Sequence, residues 1–344
     1  MTLRNFKMDG FDFKSKSILI TGGTGSFGRA LVKKLLMESK AERIIIYSRD
    51  EQKQFYMSQD YNNDSFPNIR YLIGDVRDYE RLDMAMFGVD IVVHAAAMKH
   101  VEAAEYNPFE CIRTNVNGAE NVVRASLKNN VEQVIALSTD KACNPINLYG
   151  ASKLASDKIF IAANNLVGKR KTSFSVVRYG NVMGSNGSVL PLFKSLLENG
   201  ADFFPITDLR MTRFWITIDQ GTDFVISSLS NMDGGEIFVP KIPSIKITDL
   251  AKSLDSNLPL KEIGIKSGEK IHEIMLSEED AQFTYDMGDY YILESNMKFW
   301  DSRLKKHSKL KKVNEGFSYN SLNNTEWLTS ENLIDLMEKE FVTK

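Results

Sequence analysis

Cysteine is scarce in this 344-residue chain, which contains only Cys111 and Cys143, far apart and outside any Cys-x-x-Cys motif. That spacing argues against a disulfide framework and a cysteine zinc site, so we expect a reducing compartment, the cytoplasm, and no bound metal. Residues 1–16 lack the apolar centre of a signal peptide, and no run reaches the ~18 apolar residues of a membrane span. A membrane role is therefore not expected.

An excess of charge of one sign is also missing. The 43 Lys and Arg residues and the 45 Asp and Glu residues are interspersed and leave a formal net charge of −2. This balance gives no electrostatic footprint for nucleic acid or an anionic membrane surface. The 43% hydrophobic content is that of a globular protein with a sizeable core. We therefore expect small-molecule partners and no nucleic acid.

Short apolar runs alternate with helical patterns through the first half of the chain. Six runs predict strands, at residues 17–21, 43–47, 69–73, 91–94, 133–137 and 173–178. Helical patterns lie between them, at 27–37, 108–128 and 149–165. This alternation is typical of right-handed crossovers in a parallel sheet. It predicts an α/β fold of the Rossmann type, with a doubly wound parallel sheet.

A glycine-rich motif follows the first predicted strand directly. Gly22, Gly25 and Gly28 have the spacing G-x-x-G-x-x-G within the segment TGGTGSFG. Missing side chains at these positions permit a tight turn, close approach of a pyrophosphate and close packing of the next helix, whose N-terminus supplies amide donors. The motif predicts a dinucleotide site, to which we also assign Thr24, Ser26 and Phe27.

The end of the second predicted strand favours NADP over NAD. Where an acidic residue would grip the ribose hydroxyls of NAD, the chain has Ser48-Arg49-Asp50. Ser48, Arg49 and Lys53, one helical turn on, can hold a ribose 2′-phosphate. Arg49 can instead stack on adenine or lie in solvent, and Asp50 can partly restore NAD binding, so NAD stays open. The next two strand ends place four more residues beside the cofactor: Asp75, Val76, Ala95 and Ala96.

The chain leaves the predicted sheet after Gly180. We predict a helix at 189–198, then a helix at 219–232 and an apolar run at 236–239 that return to the sheet. The predicted organisation is an N-terminal stub at 1–16, an NADP-binding Rossmann domain at 17–180 plus about 215–243, and a smaller interleaved α/β substrate-binding lobe at 181–214 plus 244–344. A cleft between two such lobes is the expected place for a ligand.

A hydroxyl, a phenol and an ammonium are spaced for chemistry in the segments Thr139-Asp140-Lys141 and Tyr149-Gly-Ala-Ser-Lys153. If Tyr149 begins a helix, Lys153 follows at i+4 on the same face and lowers the tyrosine pKa from about 10 toward neutral. The resulting phenolate can take a proton from a sugar hydroxyl. Because Tyr-x-x-x-Lys also arises by chance in helices, the glycine motif upstream gives the spacing its meaning.

Seven segments together resemble the extended short-chain dehydrogenase/reductase family: TGGTGSFG, YSRDE, GDVRD, HAAAMKH, STDKA, NLYGASK and VRYGNVMGSNGSV. Within it, the sequence is most similar to the inverting UDP-N-acetylglucosamine 4,6-dehydratases that begin pseudaminic acid synthesis for flagellin glycosylation. The resemblance runs from about Ser17 to Leu336. It implies UDP-N-acetylglucosamine as substrate and a tightly bound NADP that is regenerated in each turnover.

The resemblance also implies roles for the central residues. Hydride leaves carbon 4 of the sugar while Tyr149 takes the proton of the 4-hydroxyl and Thr139 hydrogen-bonds the same oxygen. The 4-ketone acidifies the proton on carbon 5, so Lys141 can remove it as base while Asp140 protonates the departing 6-hydroxyl, and hydride returns to carbon 6. This requires the pKa of Lys141 to fall from ~10.4 by about three units, through desolvation and nearby Lys153, and that of Asp140 to rise.

A further set of residues is assigned to the nucleotide sugar by the resemblance. Arg213 would neutralise a diphosphate oxygen through a charge-assisted contact. The full set is Asn181, Val182, Thr212, Arg213, Lys266 and Glu269, with Lys99 at the cofactor or the substrate.

Several alternatives remain open. A UDP-sugar 4-epimerase would share the cofactor site, Tyr149 and Lys153, but would not need Asp140 and Lys141. A non-catalytic NADP-binding regulator would be expected to lose Tyr149 or Lys153. The pathway can instead be one that makes an L-fucosamine-type polysaccharide, and either Tyr149 or a water can return the proton to carbon 5. Helices with apolar residues on more than one face predict a homo-oligomer, a dimer or a larger assembly such as a hexamer.

Overall fold

The computed structural model describes residues 3–6, 11–185, 187–295 and 311–342. Its strands are, in chain order, β1 (Ser17–Thr21), β2 (Arg43–Ser48), β3 (Ile69–Ile73), β4 (Ile91–His94), β5 (Gln133–Thr139), β6 (Ser173–Tyr179), β7 (Asn181–Val182), β8 (Phe204–Ile206), β9 (Thr212–Ile216), β10 (Ile237–Pro240), β11 (Ser244–Lys246), β12 (Leu260–Glu262), β13 (Ile274–Leu276), β14 (Thr284–Asp286), β15 (Tyr290–Leu293) and β16 (Tyr319–Asn320).

The α-helices of the described residues are α1 (Ser26–Glu38), α2 (Glu51–Asp60), α3 (Tyr79–Ala85), α4 (Val101–Tyr106), α5 (Pro108–Ile112), α6 (Gly118–Lys128), α7 (Leu148–Ala163), α8 (Val189–Glu198), α9 (Ile218–Asn231), α10 (Ile247–Leu254) and α11 (Ser330–Val342). A π-helical turn, Arg113–Asn117, joins α5 to α6, so the helix predicted at 108–128 is continuous. Within the described ranges, no helix has the length and hydrophobicity needed to cross a bilayer.

The main sheet has the strand order β14-β15-β10-β6-β5-β4-β1-β2-β3. All pairs from β3 to β10 are parallel, and β10, β15 and β14 pair antiparallel. The central order 3-2-1-4-5-6 is that of a Rossmann fold, which confirms the predicted fold class. The chain reverses direction across the sheet between β1 and β4, so this is where a nucleotide is expected to bind.

The predicted strands in the first half are all present, and β2, β5 and β6 run one or two residues further than their apolar patterns. Polar side chains begin several helices. Asp50 accepts from Lys53 N at the start of α2, and Asn147 accepts from Gly150 N at the start of α7. Thr217 and Gln220 form a reciprocal capping box at the start of α9. These caps fix where the helices begin relative to the strand ends.

The predicted boundary at residue 244 does not coincide with the edge of the main sheet. Strands β14 and β15 were assigned to the smaller lobe, but they extend the main sheet beside β10. The reason is the apolar run Tyr290–Leu293, whose last three residues are buried against the neighbouring strand. Other late segments form small sheets of their own, β11-β9-β7, β12-β8 and β13-β16.

Outside the main sheet, α8, β8, β9, α10 and α11 contribute to two separate hydrophobic clusters. Residues of the predicted N-terminal stub are held against other elements. The ring of Phe6 packs edge-on against Phe224 at 5.0 Å, and Arg4 pairs with Glu326 at 2.5 Å. Parts of the predicted segments 1–16 and 244–344 lie outside the described residues. The division into two lobes stays a prediction.

Candidate active site

The glycine motif forms the turn between β1 and α1, as predicted. Gly22 has a φ of +67°, a left-handed conformation that favours glycine, and a Cβ there would lie 2.9 Å from the backbone of Ala96. A Cβ at Gly28 would lie 2.5 Å from the Cα of Gly23, so this glycine allows the helix to pack on the turn. The absence of both side chains brings β1, β4 and α1 close together.

The N-terminus of α1 is suited to an anion. Gly25 is its N-cap, no side chain among the described residues caps it, and its first turn contains no acidic residue. Its first backbone N–H groups and the positive end of the helix dipole are therefore available to a pyrophosphate. Phe27 stacks on Tyr179 at the end of β6, with ring centroids 6.3 Å apart. These residues fit a dinucleotide cofactor.

The side chains at the end of β2 differ in the contacts that they make within the protein. Asp50 accepts a hydrogen bond from Lys53 N at 2.9 Å, and its second oxygen lies 3.3 Å from Lys53 Nζ. Ser48 Oγ lies 2.7 Å from Thr24 Oγ1, which ties the strand end to the glycine turn. Arg49 is largely exposed, and its guanidinium lies 3.6 Å from the Asp75 carboxylate. Asp50 is thus engaged as a helix cap, whereas Arg49 is only weakly paired.

The ends of β3 and β4 meet the glycine turn. Tyr47 Oη donates to the carbonyl of Asp75, and the amides of Ala95 and Ala96 donate to Thr21 Oγ1 at 3.1 and 3.3 Å. Val76 is buried, and its carbonyl accepts from Asn121 Nδ2 at 2.9 Å. Asp75, Val76, Ala95 and Ala96 therefore lie where the sequence placed them, at strand ends near the switch point.

His94 is a packed histidine at the end of β4. Its Nδ1 lies 2.8 Å from Thr21 Oγ1, and its ring packs against Phe160 at 5.4 Å. Complete burial, reinforced by the charge of Lys153, lowers its pKa to about 3. It is neutral at physiological pH.

Tyr149 and Lys153 are both buried on α7, one helical turn apart. The predicted fall in the pKa of Tyr149 is wrong. Burial raises the pKa of Tyr149 to about 12, and the charge of Lys141 acts against that rise. Burial also lowers the pKa of Lys153, although Asp157 opposes this. Desolvation therefore has a larger effect on the pKa of Tyr149 than the lysine at i+4 that the sequence showed.

Lys141 lies between two buried carboxylates. Its Nζ is 3.1 Å from Asp140 Oδ1 and 3.0 Å from Glu273 Oε1, and Arg213 Nε lies 3.8 Å from the same glutamate oxygen. Thr139 Oγ1 donates to Asp140 Oδ1 at 2.9 Å. The 3₁₀ turn Asp140–Ala142, directly after β5, presents these groups at the carboxyl end of the strand.

The predicted fall in the Lys141 pKa is therefore wrong. Burial favours the neutral amine, but the charges of Asp140 and Glu273 outweigh burial and raise the pKa of Lys141. Burial raises the pKa of Asp140, as predicted, although Lys141 opposes the rise. Burial also disfavours the charged form of Glu273, but Lys141 and Arg213 outweigh it and lower its pKa.

Glu273 was missed at the sequence level. It immediately precedes β13 in the segment Ile271-His272-Glu273, which matches no motif and lies far along the chain from Lys141. The sequence offered one indication, because Glu273 directly precedes the apolar residues Ile274–Leu276. A glutamate buried beside them would require a cationic partner.

The residues assigned to the substrate lie in different surroundings. Arg213 is buried, and its Nη1 donates to the carbonyls of Thr212 and Ile271. The Thr212 hydroxyl is enclosed, 2.8 Å from His272 Nδ1 and 2.7 Å from Ser321 Oγ. The structure therefore places the Thr212 side chain inside the protein, where it holds the late segments together.

The remaining assigned groups lie nearer the surface. Asn181 Oδ1, on β7 next to Val182, is buried without a hydrogen-bond partner among the described residues, so it can accept a bond from a ligand. Lys266 Nζ pairs with Glu102 at 2.7 Å, and its amide faces Glu269. The turn between them meets the start of α7, because Asn147 Nδ2 donates to Gly268 O at 2.7 Å. Partial burial lowers the pKa of Lys99, in the loop after β4.

Comparison with known proteins agrees with the fold and the motifs. The profile of the family described as polysaccharide biosynthesis protein matches residues 18–295. The UDP-N-acetylglucosamine 4,6-dehydratase (inverting) of Campylobacter jejuni subsp. jejuni strain 81-176 is 56% identical over 330 residues, covering 94% of this chain and 98% of that protein. A UDP-glucose 4-epimerase of Rickettsia bellii is 45% identical over 286 residues, covering 81% of this chain and 83% of that protein.

The solved structure of Pen from Bacillus thuringiensis has a TM-score of 0.87 with this chain at 35% sequence identity, covering 96% of this chain and 100% of that one. The similarity thus extends over the Rossmann sheet and the later segments alike. The resemblance predicted from the motifs is confirmed. This chain belongs to the polysaccharide biosynthesis protein family and, within it, to the inverting UDP-N-acetylglucosamine 4,6-dehydratases.

Proposed function

We propose that the protein converts UDP-N-acetylglucosamine to UDP-2-acetamido-2,6-dideoxy-β-L-arabino-hex-4-ulose, by removal of water and inversion at carbon 5. The observation that carries the proposal is the contact of Lys141 Nζ with Asp140 Oδ1, 3.1 Å apart, on the same strand end as Thr139. Tyr149 lies on α7, which packs against the turn that carries both residues. A 4,6-dehydration needs an acid and a base beside the group that takes the 4-hydroxyl proton, and Asp140, Lys141 and Tyr149 can fill these three roles.

We propose NADP as the cofactor. When bound, it would supply a hydride acceptor for carbon 4 and a hydride donor for carbon 6. The N-terminus of α1 would hold the pyrophosphate, and Ser48, Arg49 and Lys53 would hold the 2′-phosphate. The engagement of Asp50 as the cap of α2 supports NADP, because its carboxylate is already used by Lys53.

One proton can prepare both the acid and the base. Transfer of a proton from Lys141 Nζ to Asp140 Oδ1 converts the ion pair to a neutral amine and a carboxylic acid. The amine can then take the proton of carbon 5, and the acid can protonate the departing 6-hydroxyl, so that water leaves and charge is conserved. Burial of Asp140, which raises its pKa, favours this transfer. The 56% identity to a dehydratase named as inverting supports inversion at carbon 5.

Tyr149 would accept the 4-hydroxyl proton with Thr139 bound to the same oxygen. Its pKa of about 12 means that it is a phenol before substrate binds, so its proton must leave before it can act as a base. The charge of Lys141 favours that loss. Arg213, Asn181 and the turn at Lys266 and Glu269 would contact the nucleotide sugar.

We also propose a homo-oligomer, a dimer or a larger assembly. Tyr106 and Phe109, on neighbouring helices α4 and α5, expose 87% and 77% of their surface, and Ile112 follows at 38%. Such exposed aromatic groups are typical of interfaces. Size-exclusion chromatography with light scattering tests this, since a monomer would contradict it. A cytoplasmic location and a role in pseudaminic acid synthesis for flagellin glycosylation stay predictions.

Proton NMR of the purified protein with UDP-N-acetylglucosamine and trace NADP in deuterated water tests the function. The expected result is a new carbon-6 methyl signal, deuterium at carbon 5 and an inverted coupling pattern there. The relative named UDP-glucose 4-epimerase makes epimerisation the second candidate, which would invert only the 4-hydroxyl. That outcome, or unchanged sugar, would remove the dehydratase assignment.

A further inference from the structure

Glu273 is a buried carboxylate without an assigned role. It is 1% exposed, its Oε1 is 3.0 Å from Lys141 Nζ and 3.8 Å from Arg213 Nε, and its Oε2 has no partner among the described residues. Burying a carboxylate costs free energy unless cations and hydrogen-bond donors compensate for it. The two cations that compensate for Glu273 are the proposed base and a proposed substrate contact.

The backbone of Glu273 is fixed in place. Its amide donates to Ser321 Oγ at 2.9 Å, and its carbonyl accepts from the Ser321 amide at 2.8 Å. Ser321 Oγ also lies 2.7 Å from Thr212 Oγ1, which joins the site to β9. Thr212 and Ser321 thus have an indirect role, since they hold the segment from which Glu273 reaches Lys141.

Lys141 needs such an anchor. A lysine ammonium lies at the end of a flexible four-carbon stem, and Asp140, its neighbour in the chain, moves with the same short turn. Glu273 comes from a separate element and fixes the ammonium relative to β13 and β9. Displacement of a reacting group by about 1 Å can cost about 10²-fold in rate.

We propose that Glu273 is a positioning residue that holds Lys141 Nζ for removal of the carbon-5 proton and couples it to Arg213. This rests on the proposed function, in which Lys141 is the base. Glu273 would act in two ways that can be separated. The reach of its side chain sets where the amine lies, and its negative charge sets how readily the ammonium gives up its proton.

Two substitutions test the length and the charge of the Glu273 side chain separately. Glu273→Gln keeps the length and removes the charge, whereas Glu273→Asp keeps the charge and shortens the side chain by one methylene. Glu278→Gln is the matched control, because Glu278 is exposed and lies five positions further on. Thermal unfolding and NADP binding of each variant establish that it is folded.

The first readout is chemical reactivity of Lys141 and does not require turnover. Only the neutral amine is reductively methylated, so the labelling rate at one pH, measured by mass spectrometry against exposed Lys158, reports proton loss. A carboxylate at this distance shifts the pKa of a cation by about 1–3 units, so labelling of Lys141 should rise about tenfold or more in Glu273→Gln. It should rise less in Glu273→Asp and stay unchanged in Glu278→Gln.

The second readout is the pH dependence of kcat with UDP-N-acetylglucosamine. In Glu273→Gln the acid limb, where the Asp140–Lys141 pair must lose one of two protons, should move to lower pH because a nearby negative charge is gone. In Glu273→Asp the limb should move less, while kcat falls about 10²-fold. Unchanged labelling and an unmoved limb in folded Glu273→Gln would overturn the proposal, as would losses of kcat in both variants that only follow lowered thermal stability. Failure of the proposed function would appear separately, as absence of product with the unaltered protein.

Discussion

Asp140 and Lys141, adjacent in the chain, face each other as an ion pair with Oδ1 and Nζ 3.1 Å apart. The carboxylate is wholly buried, so it gains little stabilisation from water in its charged form. Asp140 and Glu273 raise the pKa of Lys141, so the ammonium and the carboxylate are the favoured forms. Dehydration requires the amine and the acid, which form when one proton moves from Nζ to Oδ1.

Lys141→Gln should stop dehydration without stopping oxidation at carbon 4. Glutamine can still donate to Asp140 and Glu273, but it cannot take the carbon-5 proton. Loss of a general base typically costs about 10²–10⁴-fold, so the carbon-6 methyl signal should form that much more slowly. A single burst of absorbance from reduced NADP should remain when substrate is mixed with excess cofactor.

Exposed Lys158→Gln, also on α7, is the control for that experiment and should turn over normally. Product formation by Lys141→Gln within tenfold of the unaltered rate would show that another group removes the proton. Loss of the burst together with the product would instead place Lys141 in the oxidation step.

Cofactor choice should depend on Arg49. Arg49→Ala should raise the Kd of NADP about 10- to 100-fold, because a charge-assisted contact contributes about 1.5–3 kcal/mol. The Kd of NAD, which has no 2′-phosphate, should change little. Isothermal titration of both cofactors measures this.

The companion variant Asp50→Asn tests the alternative assignment of NAD. Asparagine keeps an oxygen that can cap α2. If Asp50 instead grips ribose hydroxyls, Asp50→Asn would weaken NAD binding, and the assignment of NADP would be wrong. We expect neither Kd to change appreciably.

Local sequence patterns predicted the fold and the glycine turn between β1 and α1, but they did not predict the pKa values of the site. The apolar run Ser17–Thr21 is a buried strand, and Gly22 and Gly28 are required by close backbone contacts at the turn that follows it. In contrast, the pKa of Lys141 depends on Glu273, which reaches it from a distant segment. No spacing rule links the two positions, so the sequence suggested Lys153 as the controlling charge and predicted a shift of the opposite sign. In the same way, no local pattern indicated that β14 and β15 pair with the main sheet.

Stability in acid should depend on His94. Its pKa is about 3 in the folded protein and ~6.5 when unfolded, so the unfolded state binds the extra proton between these values. The contribution of His94 to stability is complete above pH ~6.5 and falls by about 1.4 kcal/mol per pH unit as pH decreases toward about 3.

Urea unfolding of His94→Asn across pH 4–7 tests this, because the variant should lose that part of the pH dependence. Its lower stability from altered packing is an offset that does not change with pH. His100→Asn, at an exposed histidine, should retain the full slope. Equal slopes for His94→Asn and the unaltered protein would show that His94 is not the group that titrates.

Gly150 connects the two halves of the catalytic site through its missing side chain. A Cβ at this position of α7 would lie 2.2 Å from the carbonyl oxygen of Lys141 and 3.1 Å from Pro145 Cβ. Since the first atom belongs to the backbone, relief requires α7 and the turn Asp140–Ala142 to move apart. Gly150→Ala should therefore displace Lys141 from Tyr149, lower kcat about 10²-fold and destabilise the fold by about 1–3 kcal/mol.

Gly221→Ala in α9 is the matched comparison, because no heavy atom outside its own helix lies within 4 Å of the new Cβ among the described residues. Alanine favours a helix over glycine, so this variant should gain about 0.5–1 kcal/mol and keep its kcat. Urea unfolding and steady-state kinetics of the two variants separate the effect of the steric contact at residue 150 from the helix propensity of alanine. If Gly150→Ala were as active and as stable as Gly221→Ala, the close approach of α7 to the Lys141 carbonyl would not be what fixes the geometry of the site.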